Sequence, residues 1–208
     1  MGPLTTTVGS SIWISGNGFC CQGHLVVDNG FTNNGTIGLS SYNGGVTSRM
    51  LLNNGTLVNA AGAQIILDPG SGGERVLEVS LDNYGTVLVN QGPMTFNKPN
   101  QINRAGGTIS VNSGDVYVTN GGTFTNCGLI TVAGSRSFNY TGGTLINGGT
   151  GVLAGAGTYN IGSSPFTNGG TLDPGGILTV NGTATFAPHD ACPGGSGPSV
   201  NVSACGPV

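Results

Sequence analysis

Between Phe124 and Gly170 an apolar residue, a variable residue, an Asn, a second variable residue and a Gly follow one another three times in the same order. The triplets are Phe124, Asn126, Gly128, then Leu145, Asn147, Gly149, then Phe166, Asn168, Gly170, and the two intervals between them are equal. A fixed period of about 20 residues leaves few folds open. Each copy is too short to bury its own apolar residues, so the copies must stack as coils of a solenoid. The triplet recurs upstream as Phe31, Asn33, Gly35 and as Leu51, Asn53, Gly55, at nearly the same interval. Leu81, Asn83, Gly85 follow after a gap half as long again, which reads as one coil carrying an inserted loop near residues 68–78. Ile102, Asn103 and Gly107 form a looser copy.

The residues between the triplets agree with this. Apolar residues alternate with polar ones over short runs such as Gly107-Thr-Ile-Ser-Val, the pattern of half-buried strands bounded by turns. No window carries apolar residues at helical spacing over three turns, and the 41 glycines oppose helix throughout. Gly at every third position, which collagen needs, is absent. The expected fold is all-β, a parallel β-helix (β-solenoid) of about seven to eight coils of 20–22 residues. Residues 1–30 read as an N-terminal coil or cap, with Trp13 covering the open end of the core. Residues 31–186 read as the coils. Residues 187–208 are rich in Pro, Gly and Ser, carry Cys192 and Cys205, and read as a tail.

Stacking at about 4.8 Å per coil places equivalent residues in columns. Phe31, Leu51, Leu81, Ile102, Phe124, Leu145 and Phe166 are expected to form an inward column. Asn33, Asn53, Asn83, Asn103, Asn126, Asn147 and Asn168 are expected to form a ladder of side-chain amides at a corner, with the following Gly supplying left-handed backbone there. This is a structural role and needs no ligand.

Chemistry-bearing residues are sparse. The chain has 8 acidic and 5 basic residues and a net charge of −3, which argues against a nucleic-acid surface. No apolar run is long enough for a membrane span, so membrane insertion is not expected. Among the acids only Asp68, Glu74, Glu78 and Asp82 cluster, around the inserted loop, where a polysaccharide-acting or carbohydrate-binding site would have to lie. No nucleophile–base order or phosphate loop is present, so no enzyme, catalytic residue, metal site or cofactor is expected. Thr-x-Thr units, which on a flat solenoid face can bind ice, occur at Thr5-Thr6-Thr7, at Thr123 and Thr125 and at Thr183 and Thr185, but they do not recur at the coil period, so an ice-binding plane is not expected.

The five cysteines are Cys20, Cys21, Cys127, Cys192 and Cys205. Cys127 reads as a packed thiol, and a Cys192–Cys205 disulfide would restrain the tail. The adjacent Cys20 and Cys21 at one end and Cys192 and Cys205 at the other leave two arrangements open. All bonds lie within one chain, or subunits stack end to end through intersubunit disulfides.

Gly143-Thr-Leu-Ile-Asn-Gly-Gly-Thr-Gly-Val-Leu-Ala-Gly-Ala-Gly-Thr-Tyr, followed by Phe-Thr-Asn-Gly-Gly-Thr-Leu-Asp-Pro-Gly-Gly-Ile-Leu-Thr-Val-Asn-Gly182, resembles the repeats of bacterial autotransporter passengers and related surface β-helix adhesins. The resemblance is best over residues 143–182. It implies a right-handed parallel β-helix, exported to the bacterial surface or beyond it, with a structural or adhesive role. Self-association into a filament or matrix, or a glycan or cell-surface partner, follows as an expectation. Five cysteines depart from that family, in which they are few.

Overall fold

The computed structural model describes residues 4–68, 70, 72–119, 121–186 and 192. These residues form 22 strands and no helix, and every pairing between the strands is parallel. The chain winds through eight coils, each laying down one strand on each of three faces. The first face is an eight-stranded sheet running from Ser11–Asn17 through Thr36–Tyr42 and Gln64–Leu67 to Thr171–Pro174. The second face begins at Gly23–Val27 and ends at Ile177–Val180. The third begins at Phe31–Asn33 and ends at Ala184–Phe186. Two long strands, Ser48–Asn59 and Arg75–Asn83, run across the corner between the second and third faces and join them into one sheet.

Period-2 alternation decides which side chains enter the core. On the first face Ile37, Ile65, Val87, Ile109 and Ile130 stack in register and are fully or almost fully buried. On the third face the inward column is Phe31, Leu57, Leu81, Gln101, Phe124, Leu145 and Phe166. Two expected members are therefore replaced. Leu51 lies on the outer side of the second face, opposite Glu78, because the strand shifts register between Leu51 and Thr56 and brings Leu57 into the column instead. Ile102 points outward, and the buried Gln101 takes its place. That glutamine is satisfied in the core: its Oε1 accepts from Leu81 N at 3.0 Å and its Nε2 donates to Val79 O at 2.9 Å. A stability comparison checks the assignment. Phe124→Ala is expected to cost about 3–5 kcal/mol, while Ile102→Thr is expected to cost under about 1 kcal/mol.

Next to this column the buried asparagines hydrogen-bond from coil to coil. Asn33 Nδ2 donates to Asn59 Oδ1, and the relay continues through Asn83, Asn103, Asn126 and Asn147 to Asn168, over distances of 2.7–2.9 Å. Asn59 stands where Asn53 was expected. Asn53 is exposed on the register shift and donates to Asp28 Oδ1 at 2.8 Å. With Asn59 in the ladder the single long gap disappears, and two nearly equal intervals, each somewhat longer than the later ones, take its place. The extra length divides between the register shift and the interval of sequence from Leu67 to Arg75.

The corner that follows each ladder residue alternates in length. One residue separates Asn33 from Gly35, Asn83 from Gly85 and Asn126 from Gly128. Three separate Asn59 from Ala63, Asn103 from Gly107 and Asn147 from Gly151. The closing glycine was expected to be left-handed, but its need is steric. A Cβ at Gly107 would lie 2.3 Å from Asn83 O, and one at Gly128 would lie 2.2 Å from Gly107 O. The neighbouring coil is too close for a side chain.

Aromatic rings fill the interior between the second and third faces. Phe96, Phe124 and Phe138 meet edge to face, with centroids 6.2 and 5.7 Å apart, a geometry that adds to their burial energy. Tyr140 and Tyr159 turn their hydroxyls to backbone carbonyls, Tyr140 within 2.8 Å of Gly122 O and Tyr159 within 2.7 Å of Ala154 O. Burial pushes the Tyr140 phenol up to about 12 and the Tyr159 phenol further still, against an ordinary 10.0. The unfolded chain ionises first, so these two groups contribute their full stability below pH 10 and lose it as pH rises through the folded-state values. Alkaline unfolding is thus expected to begin near pH 10. In a pH series of urea midpoints, replacing both tyrosines by Phe should flatten the decline.

Candidate functional site

The four clustered carboxylates do not converge. Glu78 lies on the outer side of the second face and pairs with Arg49 at 3.4 Å. Asp82 lies on the third face, where Arg104 grips it with Nε at 2.5 Å and Nη2 at 3.0 Å. The same guanidinium packs over the Tyr84 ring at 5.6 Å, and the bond to Asp82 raises its already high pKa. Glu74 accepts from Thr95 Oγ1 at 2.5 Å. Asp68 is half-buried at the corner and lies close enough to Arg75 to favour its charge. An arginine or a hydroxyl on a neighbouring coil thus engages Glu74, Glu78 and Asp82, whereas Asp68 neighbours Arg75 of its own coil. Among the described residues no three His, Cys, Asp or Glu side chains approach closely enough to hold a metal ion.

The open surfaces are at the ends. At the N-terminal end Ile12, Ile14, Gly23 and Leu25 line a depression of about 340 Å³ between the first strands of the first and second faces, with Trp13 and His24 at its rim. Trp13 was expected to cover the core. Instead it points away from it, lying across the outer surface of Gly38, where a Cβ would come within 2.2 Å of its ring. The third face is closed by Thr6, whose Oγ1 lies 3.2 Å from Asn33 Oδ1 and accepts from Asn34 N at 2.7 Å. Thr6 entered the sequence reading only within the Thr5-Thr6-Thr7 unit, and nothing in its neighbourhood signals the part it takes at Asn33. Beside the depression an exposed turn carries Phe19, Cys20 and Cys21, its base closed by paired bonds between Asn17 and Cys21. Both thiols are free, and the hydrogen bond between them raises the pKa of Cys20.

At the C-terminal end the strands Thr171–Pro174, Ile177–Val180 and Ala184–Phe186 each pair with only one neighbour. Ile177 is 63% and Phe186 49% exposed. Phe186 sits in register below Asn168, with its ring edge to face against Phe166 at 6.3 Å. Among the described residues no strand lies beyond this coil.

No family model, curated protein or solved structure matches this chain. Its chemistry has to be read from its own residues.

The disulfide lies within the chain, but its partners differ from those expected. Cys127 is not a packed thiol, and Cys192 bonds to it rather than to Cys205. The two Cα atoms are 5.5 Å apart across 65 residues of sequence. Cys205 lies outside the described residues. A signal was available in the motif. The single residue between ladder Asn and Gly faces out of the coil, as Asn34 and Tyr84 do, so a Cys there is placed to meet a partner outside the core.

Two of the three Thr-x-Thr units also fall together. On the outer side of the third face Thr123 and Thr125 lie above Thr144 and Ile146, then Pro165 and Thr167, then Thr183 and Thr185. Threonine fills six of these eight outward positions, and no charged residue lies on this part of the face. The recurrence was hidden because the last interval is shorter than the two before it and two positions are not Thr.

Proposed function

We propose that the protein is an extracellular structural and adhesive rod of a bacterial surface or matrix, whose subunits join end to end. The observation that carries this reading is the state of the two terminal coils. Among the described residues each leaves backbone donors and acceptors without a strand partner along its outer edge, beside apolar groups such as Ile177, Phe186 and the Ile12–Leu25 depression. Edges of this kind template the addition of further strands. The Cys127–Cys192 disulfide supports an oxidising compartment. The competing role, binding or cleaving polysaccharide through Asp68, Glu74, Glu78 and Asp82, would need acids that converge on one surface. Here Glu78 and Asp82 lie on different faces, each held by an arginine.

Negative-stain electron microscopy of the purified protein tests the proposal. Uniform fibres one solenoid wide are expected, and Ile177→Lys should shorten or abolish them by placing a charge at the junction. Isolated rods at every concentration would overturn it. Fibres lost when Cys20 and Cys21 are both replaced by Ser would add these thiols to the junction, and fibres that persist in that variant would leave strand pairing as the joining force.

A further inference from the structure

Arg75 is fully buried, and no carboxylate lies within ion-pair distance of it among the described residues. It opens the third coil's strand on the second face, at an inward position stacked between Ser48 above and Met94 below. Its Nη1 donates to Gly72 O and Gly73 O, both at 2.8 Å. Its Nε and Nη2 have no partner among the described residues. Nearby, the buried Ser41 Oγ has none either.

These orphaned groups share one corner, between the first and second faces. Gly70, beyond the end of the strand Gln64–Leu67, lies against Ser41, since a Cβ on it would come within 2.2 Å of Ser41 O. Ser48, the neighbour stacked on Arg75, donates its hydroxyl to Ser40 O and accepts from Gly16 N at 3.2 Å. Other coils turn from the first face to the second with two to five residues, whereas this one uses seven.

A guanidinium does not lose its proton, so burial cannot be relieved by neutralisation. A buried charge without a contacting counter-charge remains costly even after the surroundings relax. A water molecule would satisfy the free N–H groups and leave the charge. A small anion satisfies both. Asp68 lies near enough to favour the charge but makes no ion pair with it, and a single guanidinium matches one negative charge rather than two. We infer that the interior corner of Arg75 and Ser41 binds a small monovalent anion of the halide class, with chloride the available ion.

Thermal unfolding of the intact protein tests this, with chloride replaced by gluconate at constant ionic strength. The melting temperature is expected to rise by roughly 5 °C as chloride saturates the site, and bromide should substitute for chloride. Arg75→Met should remove the halide dependence. If that variant does not fold, Ser41→Ala provides a milder one, with a weakened halide response. Bromide-soaked crystals give an independent readout: an anomalous peak within contact distance of Nε and Nη2 supports the site. Equal melting temperatures in the two salts, or a water with no anomalous signal at the arginine, would overturn it.

Discussion

Asn126→Ala is expected to destabilise the protein by about 3–5 kcal/mol, more than its small volume change would suggest. The side chain is fully buried in the middle of the relay. Its Oδ1 accepts from Asn103 at 2.8 Å, and its Nδ2 donates to Asn147 Oδ1 at 2.8 Å and to Val152 O at 3.2 Å. Truncation leaves donors and acceptors on both neighbouring coils without partners and out of reach of water. Each orphaned group adds a desolvation penalty of about 1–3 kcal/mol to the bond it loses. The matched control is Asn53→Ala. That residue repeats the motif in sequence but is exposed on the register shift, so the change should stay within about 0.5 kcal/mol. Urea midpoints of the two variants separate the readings. If both lose the same small amount, the relay is not what fixes the stacking.

The second large effect is expected at Cys127. The disulfide to Cys192 spans 65 residues, and closing a loop of that length lowers the entropy of the unfolded chain enough to stabilise the fold by about 4 kcal/mol. It also holds residue 192 against the corner of the fifth and sixth coils, with its Sγ near Gly148. Cys127→Ser should therefore lower the unfolding midpoint sharply, and reductant should bring the unsubstituted protein to the same value. Replacing both Cys20 and Cys21 by Ser should leave the midpoint in place, since neither takes part in a bond across coils. A Cys127→Ser protein as stable as the original would mean that the restraint acts elsewhere.

The solenoid and most of its ladder were legible because stacking forces equivalent residues into register. One period then specifies many contacts at once. The failures have a common cause. In the second coil two candidates compete, Leu51 with Asn53 and Leu57 with Asn59. The first carries the glycine two places on. The second does not, because its corner has three intervening residues and closes with Ala63. The alternation of short and long corners cannot be inferred from one motif, and it moved both the ladder residue and the apparent insertion. Ile102 misled through hydropathy. An outward isoleucine beside an inward glutamine is stable here only because Gln101 finds backbone partners at Leu81 and Val79. The buried Arg75 and the disulfide partner of Cys127 depend on contacts between coils that no local pattern encodes.

The amide relay also gives the rod a direction. Every ladder asparagine donates toward the C-terminal end and accepts from the N-terminal side, and interior members such as Asn59, Asn103 and Asn126 also turn Nδ2 toward a backbone carbonyl, which fixes that orientation. Thr6 starts the series on the acceptor side of Asn33, and Asn168 ends it by donating to Gly170 O. Aligned amide dipoles polarise one another along such a chain, so the bonds strengthen cooperatively. The two ends of the molecule are therefore electrically unlike, as the two ends of a bar magnet are. Copies meeting head to tail would keep the dipoles aligned, whereas copies meeting with like ends would set them in opposition. A head-to-tail assembly along this axis would be polar, growing from one end with a different chemistry from the other.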